Sequence, residues 1–151
     1  MKTMKIASAP HRHTAHILAC GLLLFLYFLA SCANPEIPAS AQAFLQQYFP
    51  NSTVVLVEHD ADEDGKQYEV WLNDGAKVEF DRQGQWLRVA RKQTGVPASL
   101  IPDTVMQYVK SHYPHAVVTK FSRKVYGYKM ELSDDIDLRF DGNGTFIDEI
   151  D

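Results

Sequence analysis

Cysteine is scarce: Cys20 and Cys32 are the only two in 151 residues. Two cannot build a disulfide scaffold or a four-ligand zinc site. Positive charge is short as well, with 15 Lys+Arg against 19 Asp+Glu. A formal charge of −4 argues against a nucleic-acid binder, which needs a basic footprint. There is no Gly-rich phosphate loop, no His-Glu-x-x-His helix and no Gly-x-Ser-x-Gly elbow, so the common catalytic motifs are missing. The apolar run Ile17–Ala30 is only fourteen residues long, whereas a membrane-spanning helix needs about 20. The chain is nevertheless 46% hydrophobic and 23% charged, which is globular and not disordered.

The N-terminus has the order of an export signal. Met1 to His16 carries Lys2, Lys5 and Arg12 and no acid, and the apolar run follows directly. A basic segment before a short apolar one is read by the secretion machinery. Leu29-Ala30-Ser31-Cys32 resembles a bacterial lipobox, which implies cleavage before Cys32 and lipidation of Cys32. Ordinary cleavage after a small residue would instead leave Cys32 a free thiol. The expected organisation is a signal peptide over 1–31 and a tether over 32–36. Without residues 1–31, the remaining 120 residues carry 12 Lys+Arg and 19 Asp+Glu, a net charge of −7. No cysteine other than Cys32 then remains.

The rest of the chain shows one design twice. Ile37-Pro38 and Ile101-Pro102 are 64 residues apart, as are Pro50 and Pro114. Ala41, Phe44, Leu45 and Tyr48 fall at i, i+3, i+4, i+7, and Val105, Tyr108, Val109 and His112 repeat the spacing. That is one face of a helix. Pro38 and Pro102 suit a first turn, and Pro50 and Pro114 stop each helix. At an offset of 60, Tyr68–Trp86 aligns with Tyr128–Phe146. Tyr68, Val70 and Leu72, then Val78 and Phe80, occupy every second position around Asn73-Asp74-Gly75, the pattern of a hairpin. Thr53–Glu58 and Ala116–Phe121 read as first strands. The expected fold is α+β: two tandem units, 37–95 and 96–151, each one helix packed on a four-stranded antiparallel sheet.

These residues resemble a known family. A lipobox, Pro-helix-aromatic-Pro, and then Tyr68, Val70, Leu72, Gly75, Val78, Phe80, Asp81, Gly84 and Trp86 in their spacing look like the PepSY-like periplasmic proteins. That family is also described as β-lactamase-inhibitor-like. In the second copy Asp135 replaces the turn glycine and Phe146 replaces the Trp. The resemblance implies a helix-plus-sheet fold in the cell envelope and no enzymatic activity. Inhibition of β-lactamases does not follow from a similar fold.

Chemistry-bearing clusters are few. His112 and His115 are divided by Pro114, so no helical register holds them as a metal pair. Glu58, Asp60, Asp62, Glu63 and Asp64 place five acids in seven residues, and Asp60-x-Asp62-x-Asp64-Gly65 copies the first half of a calcium loop. Its twelfth position should be a bidentate Glu but is Trp71, which favours a solvated turn. Lys120, Arg123 and Lys124 make the corresponding inter-strand loop of the second unit basic, so the two loops are expected to be electrostatically complementary, pairing within the molecule or presenting a dipolar edge to a partner. Trp71 alternates away from the apolar side of its strand, with Tyr126 joining by parity; exposed aromatics are frequent binding anchors. Asp103-Thr104-Val105 resembles a bacterial O-glycosylation acceptor.

The expectation is a non-enzymatic lipoprotein, lipid-anchored to the envelope and facing the periplasm. It would bind or modulate another, unidentified envelope protein through a sheet face, with Trp71, Tyr126, Lys120, Arg123 and Lys124 as partner-binding candidates. The alternative is weak calcium or small-ligand binding by the acidic loop 58–65. No catalytic residue, metal site or cofactor is assigned. Contact with the membrane would be through the lipid alone, and nucleic acid is not a partner.

Overall fold

The computed structural model describes residues 37–62 and 65–150. The signal peptide 1–31, Cys32 and the tether 32–36 lie outside the described residues, as do Glu63 and Asp64 of the acidic loop.

Each proline-bounded segment forms the helix its spacing predicts. Helix α1 spans Ala39–Tyr48 behind Pro38 and buries Ala41, Phe44 and Leu45. Helix α2 spans Asp103–His112 behind Pro102 and buries Val105 and Val109. Each ends on an aromatic C-cap, whose N–H donates to Leu45 O (Phe49) or Val109 O (Tyr113). Between and after the helices run eight strands: β1 Val54–His59, β2 Tyr68–Leu72, β3 Lys77–Phe80, β4 Trp86–Ala90, β5 Val118–Lys124, β6 Gly127–Leu132, β7 Asp137–Asp141 and β8 Phe146–Ile150. A short 3-10 turn, Ala98–Leu100, precedes α2.

The expected two tandem four-stranded units are not what forms. All eight strands join one antiparallel sheet, in the order β1-β2-β3-β4-β5-β6-β7-β8. The join is β4 against β5, with Arg88↔Ser122, Val89↔Phe121 and Ala90↔Lys120 in register. The reason is an unmet hydrogen-bonding demand. Two separate sheets would leave β4 and β5 as edges with unpaired N–H and C=O groups, and pairing them removes both edges.

The joined register aligns one apolar row across the sheet: Val57, Val70, Val78, Val89, Phe121, Met130 and Leu138. Both helices cover this face. The Phe44 ring meets Phe80 edge-on at 5.5 Å and stacks near Trp86 at 6.0 Å. Tyr108 meets Phe140 at 5.5 Å and Phe146 at 4.4 Å. One buried cluster runs from Ile37 to Phe140. Strand alternation therefore leaves the opposite face without a helix.

Two turns explain why Phe-Asp-x-x-Gly occurs in both halves. Asp81 Oδ1 accepts the N–H groups of Gln83 and Gln85, each at 2.8 Å. Asp141 Oδ1 accepts those of Asn143 and Thr145, at 2.9 and 2.8 Å. These bonds, from Thr145 first, hold the Asp141 carboxyl below its usual range. Gly84 and Gly144 sit at φ +76° and +82°, pressed against the first turns of α1 and α2. A Cβ at Gly84 would collide with Ser40 Oγ and lie 2.8 Å from Pro38 Cβ. Ser40 Oγ in turn donates to Gln83 O at 2.5 Å. The turn thus anchors the helix start to the sheet.

Gly84→Ala combines a left-handed backbone with this collision and should lower stability by about 2–3 kcal/mol. Gly75→Ala, at φ +80° with open space around it, should cost about 1 kcal/mol. Urea unfolding of both variants checks the order, and equal losses would contradict the helix-anchoring role.

Candidate functional site

The helix-free face carries two rows of side chains, each crossing all eight strands. One runs Glu58, Glu69, Glu79, Arg88, Ser122, Lys129, Arg139, Asp148. The next runs Leu56, Trp71, Lys77, Ala90, Lys120, Glu131, Asp137, Ile150. The signs interlock between and along the rows. Lys77 Nζ lies 3.3 Å from Glu69 and 3.6 Å from Glu79, and Arg88 donates to Glu79 at 3.0 Å. In the other half Lys129 pairs with Asp137 at 2.6 Å, Lys120 with Glu131, and Arg139 with Asp148. The hydrogen bond to Asp148 is the main reason the Arg139 guanidinium titrates above its usual range, and the same bond holds Asp148 below its own.

Burial sorts these charges by depth. Glu69 and Glu79 are 8% and 4% exposed, covered by the cations that neutralise them. A buried carboxylate persists only with such partners. The groups presented outward in the first half are therefore Lys77 and Arg88, beside the apolar side chains of the edge. There Leu56 is 47% and Trp71 37% exposed, and Lys77 Nζ lies 5.2 Å from the Trp71 ring centroid.

Trp71 stands on the helix-free face, cross-strand from Leu56. Tyr126 lies in the β5–β6 turn, 37% exposed, with the Arg139 guanidinium 5.8 Å from its ring centroid. Lys120, Arg123 and Lys124, expected in a loop, lie instead within strand β5. The β-branched run simply continues further than its apolar letters suggest. Alternation divides the three: Lys120 and Lys124 share the face of Ser122, whereas Arg123 shares that of Phe121. They are thus not one basic loop facing an acidic one. Arg123 covers the Trp86 ring at 5.4 Å.

In the acidic loop, the Lys66 ammonium occupies the space among the carboxylates. Its Nζ is 3.0 Å from Asp60, 4.0 Å from Asp62 and 3.5 Å from Glu69. The bond to Asp60 is the leading cause that raises the Lys66 pKa. Among the described residues no group of three or more His, Cys, Asp or Glu could hold a metal ion. His112 Nδ1 lies 2.9 Å from Tyr108 O, and its ring stacks on Tyr108. Val105 of the Asp-Thr-Val triplet is fully buried, so an enzyme acting on the folded chain could not read that side chain.

Glu69, Lys77, Glu79 and Arg88 escape a reading of sequence alone. Their signal is charge at every second strand position, but only the cross-strand register turns it into a ladder. Among the described residues no helix is long and apolar enough to cross a membrane.

The architecture is thus two helices on one face of an eight-stranded antiparallel sheet, with a charged, helix-free face opposite. The chain belongs to the family described as "Putative beta-lactamase-inhibitor-like, PepSY-like", whose model matches residues 66–148. It is 39% identical to a "putative calcium-regulated periplasmic protein" of Bacteroides thetaiotaomicron, with a TM-score of 0.71 over 76% of this chain and 91% of that one. It is 32% identical to a "putative periplasmic protein from DUF2874 family" of Bacteroides vulgatus, with a TM-score of 0.68 over 77% and 91% of the two chains. A second Bacteroides vulgatus structure, a "putative periplasmic protein of unknown function", is 28% identical with a TM-score of 0.71 over 76% and 92%. No match was found among curated proteins.

Lys77→Met removes the ammonium between Glu69 and Glu79, which stand directly opposite each other. Stability should fall by about 1–3 kcal/mol, the size of a lost charge-assisted hydrogen bond. Adding Glu69→Gln should recover part of that loss in a double-mutant cycle. Additive losses would contradict the covering role of Lys77.

Proposed function

We propose that this chain is a non-enzymatic protein of the periplasmic envelope, lipid-anchored through Cys32, that binds or modulates another envelope protein through the helix-free sheet face. The observation that carries this is the combination on one face of ordered charge rows with exposed Leu56 and Trp71. Charge rows of fixed register select a complementary surface and steer its approach. A partly exposed Trp at the sheet edge supplies an anchor whose burial on contact is favourable. The periplasmic location rests on three solved relatives described in those words, and on the N-terminal export pattern. Lipidation rests on the lipobox alone.

A second reading is weak calcium binding by the loop 58–65. The name of a 39% identical relative favours it, and Asp60 and Asp62 supply alternating carboxylates. Lys66 weighs against it, because a calcium ion would have to displace an ammonium already 3.0 Å from Asp60. The melting temperature should stay unchanged up to millimolar calcium. A rise that Asp62→Asn removes would establish the second reading by linkage.

The first reading is tested by crosslinking the full chain in its own envelope and identifying the captured protein by mass spectrometry. Trp71→Ala should abolish that one crosslink while leaving the melting curve within about 1 kcal/mol, as for an exposed side chain. A crosslink indifferent to Trp71→Ala and to charge reversal at Lys77 and Lys129 would remove the sheet face from the account.

A further inference from the structure

Strand β4 begins late, at Trp86, while its neighbour β5 runs on to Lys124 and turns into β6. The β4–β5 pairing covers only Arg88–Ala90 against Lys120–Ser122, so the end of β5 stands clear of β4. The result is an open cleft of about 560 Å³ between the start of β4 and the β5–β6 hairpin. Its lining includes Trp86, Arg123, Val125 and Tyr126 together with the cations Lys66, Arg88 and Lys124.

Arg123 is the distinctive group there. It lies exposed in the cleft with its guanidinium carbon 5.4 Å from the Trp86 ring centroid. Trp86 is itself held between Phe44 at 6.0 Å and Phe121 at 5.7 Å. A guanidinium resting on a fixed indole has already lost much of its freedom, and its donor edge remains open. Among the described residues Arg123 makes no ion pair. The two acids of the cleft are engaged elsewhere: Glu79 takes Arg88 at 3.0 Å, and Asp81 Oδ1 takes two turn N–H groups at 2.8 Å. Ser122, also in the lining, is 4% exposed and points to the other face of β5, so Arg123 is the donor on the Trp86 side. The opposite wall is apolar. Val125, at the hairpin tip, is wholly exposed, and Tyr126 stands next to it.

We propose that this cleft receives an acidic side chain of the partner's polypeptide, flanked by an apolar residue. The inference rests on the reading that the partner is a protein. The carboxylate would take the donor edge of Arg123 in the two-pronged geometry that guanidinium favours. The neighbouring apolar residue would cover Val125 and Tyr126. The lining carries Lys66, Arg88, Arg123 and Lys124 against Glu79 and Asp81, so the cleft favours an anion, and the planar fork of Arg123 matches a carboxylate. The cleft is open, not enclosed, so a chain passes through it and offers a side chain more readily than a terminus.

The test uses the full chain carrying Trp71→Phe, which leaves Trp86 as its only tryptophan. Its fluorescence is titrated with acetyl-Leu-Glu-Phe-amide, acetyl-Leu-Gln-Phe-amide, acetyl-Leu-Gln-Phe with a free C-terminus, and inorganic phosphate. Saturable binding of the Glu peptide is expected, weakened about tenfold or more in the Gln amide and in Arg123→Gln. Arg123→Lys should fall between, since it keeps the charge but loses the fork. Absence of saturable binding, equal binding of the two amides, or indifference to Arg123→Gln would each overturn the proposal. Tighter binding of the free C-terminus would overturn the choice of a side chain, and tighter phosphate binding the choice of a peptide. The envelope crosslink separates this from the wider reading. Loss with Trp71→Ala but not with Arg123→Gln sinks the cleft alone. Peptide binding at Arg123 without any crosslink sinks the sheet-face reading alone.

Discussion

Strand β4 pairs with strand β5 over only three residue pairs, Arg88↔Ser122, Val89↔Phe121 and Ala90↔Lys120, yet both faces of the molecule depend on them. On the covered face, Val89 against Phe121 continues the apolar row without a break. The Trp86 ring stacks over Phe121 at 5.7 Å and under α1 through Phe44, so packing reinforces the backbone bonds at the join. On the open face, the same register sets Arg88 next to Ser122 and Ala90 next to Lys120. A one-residue slip would move every side chain of one half to the wrong face. Val89 and Phe121, both wholly buried, make that slip costly, since each would carry its apolar surface into water.

The open face follows from that register. Carboxylates at Glu69 and Glu79 are buried because long cationic side chains lie over them, keeping charge inside and charge outside in fixed relation. Because Glu69 and Glu79 are buried, their cations are needed for stability, and the ladder also holds the charge pattern in place. The acids dominate the first row on β1 to β3 and the bases dominate it from β4 to β7. Along that row the sign changes between Glu79 of β3 and Arg88 of β4, one strand before the join, and Leu56 and Trp71 stand at one edge.

Much of this was legible in the residues. The i, i+3, i+4, i+7 spacing and the flanking prolines predict both helices, and Asn73-Asp74-Gly75 predicts its hairpin. Gly84 and Gly144 mark turns, although only the structure shows them wedged against Ser40 and Thr104. Asp135 takes the left-handed backbone of the glycine it replaces, at φ 64°, so the departure from the motif did not change the turn. The joined sheet was not legible. Local periodicity reports which face a strand buries, but not whether its free edge meets the other half, and 27 residues separate Ala90 from Val118. The basic trio was misplaced for a related reason. Lys120 and Lys124 look like loop residues until β5 is seen to have a polar face as well as an apolar one, and Arg123 sits on the apolar face because its guanidinium covers Trp86.

The join at β4 and β5 is tested most directly by native-state amide hydrogen exchange in increasing urea. One cooperative sheet predicts that the amides of Val70 and Val78 in the first half and Met130 and Leu138 in the second open at a common free energy. It further predicts that Phe121→Ala lowers both sets together, by about 3–5 kcal/mol for an aromatic removed from a core. Two separate opening free energies, with only the second-half amides lowered by Phe121→Ala, would contradict the single sheet.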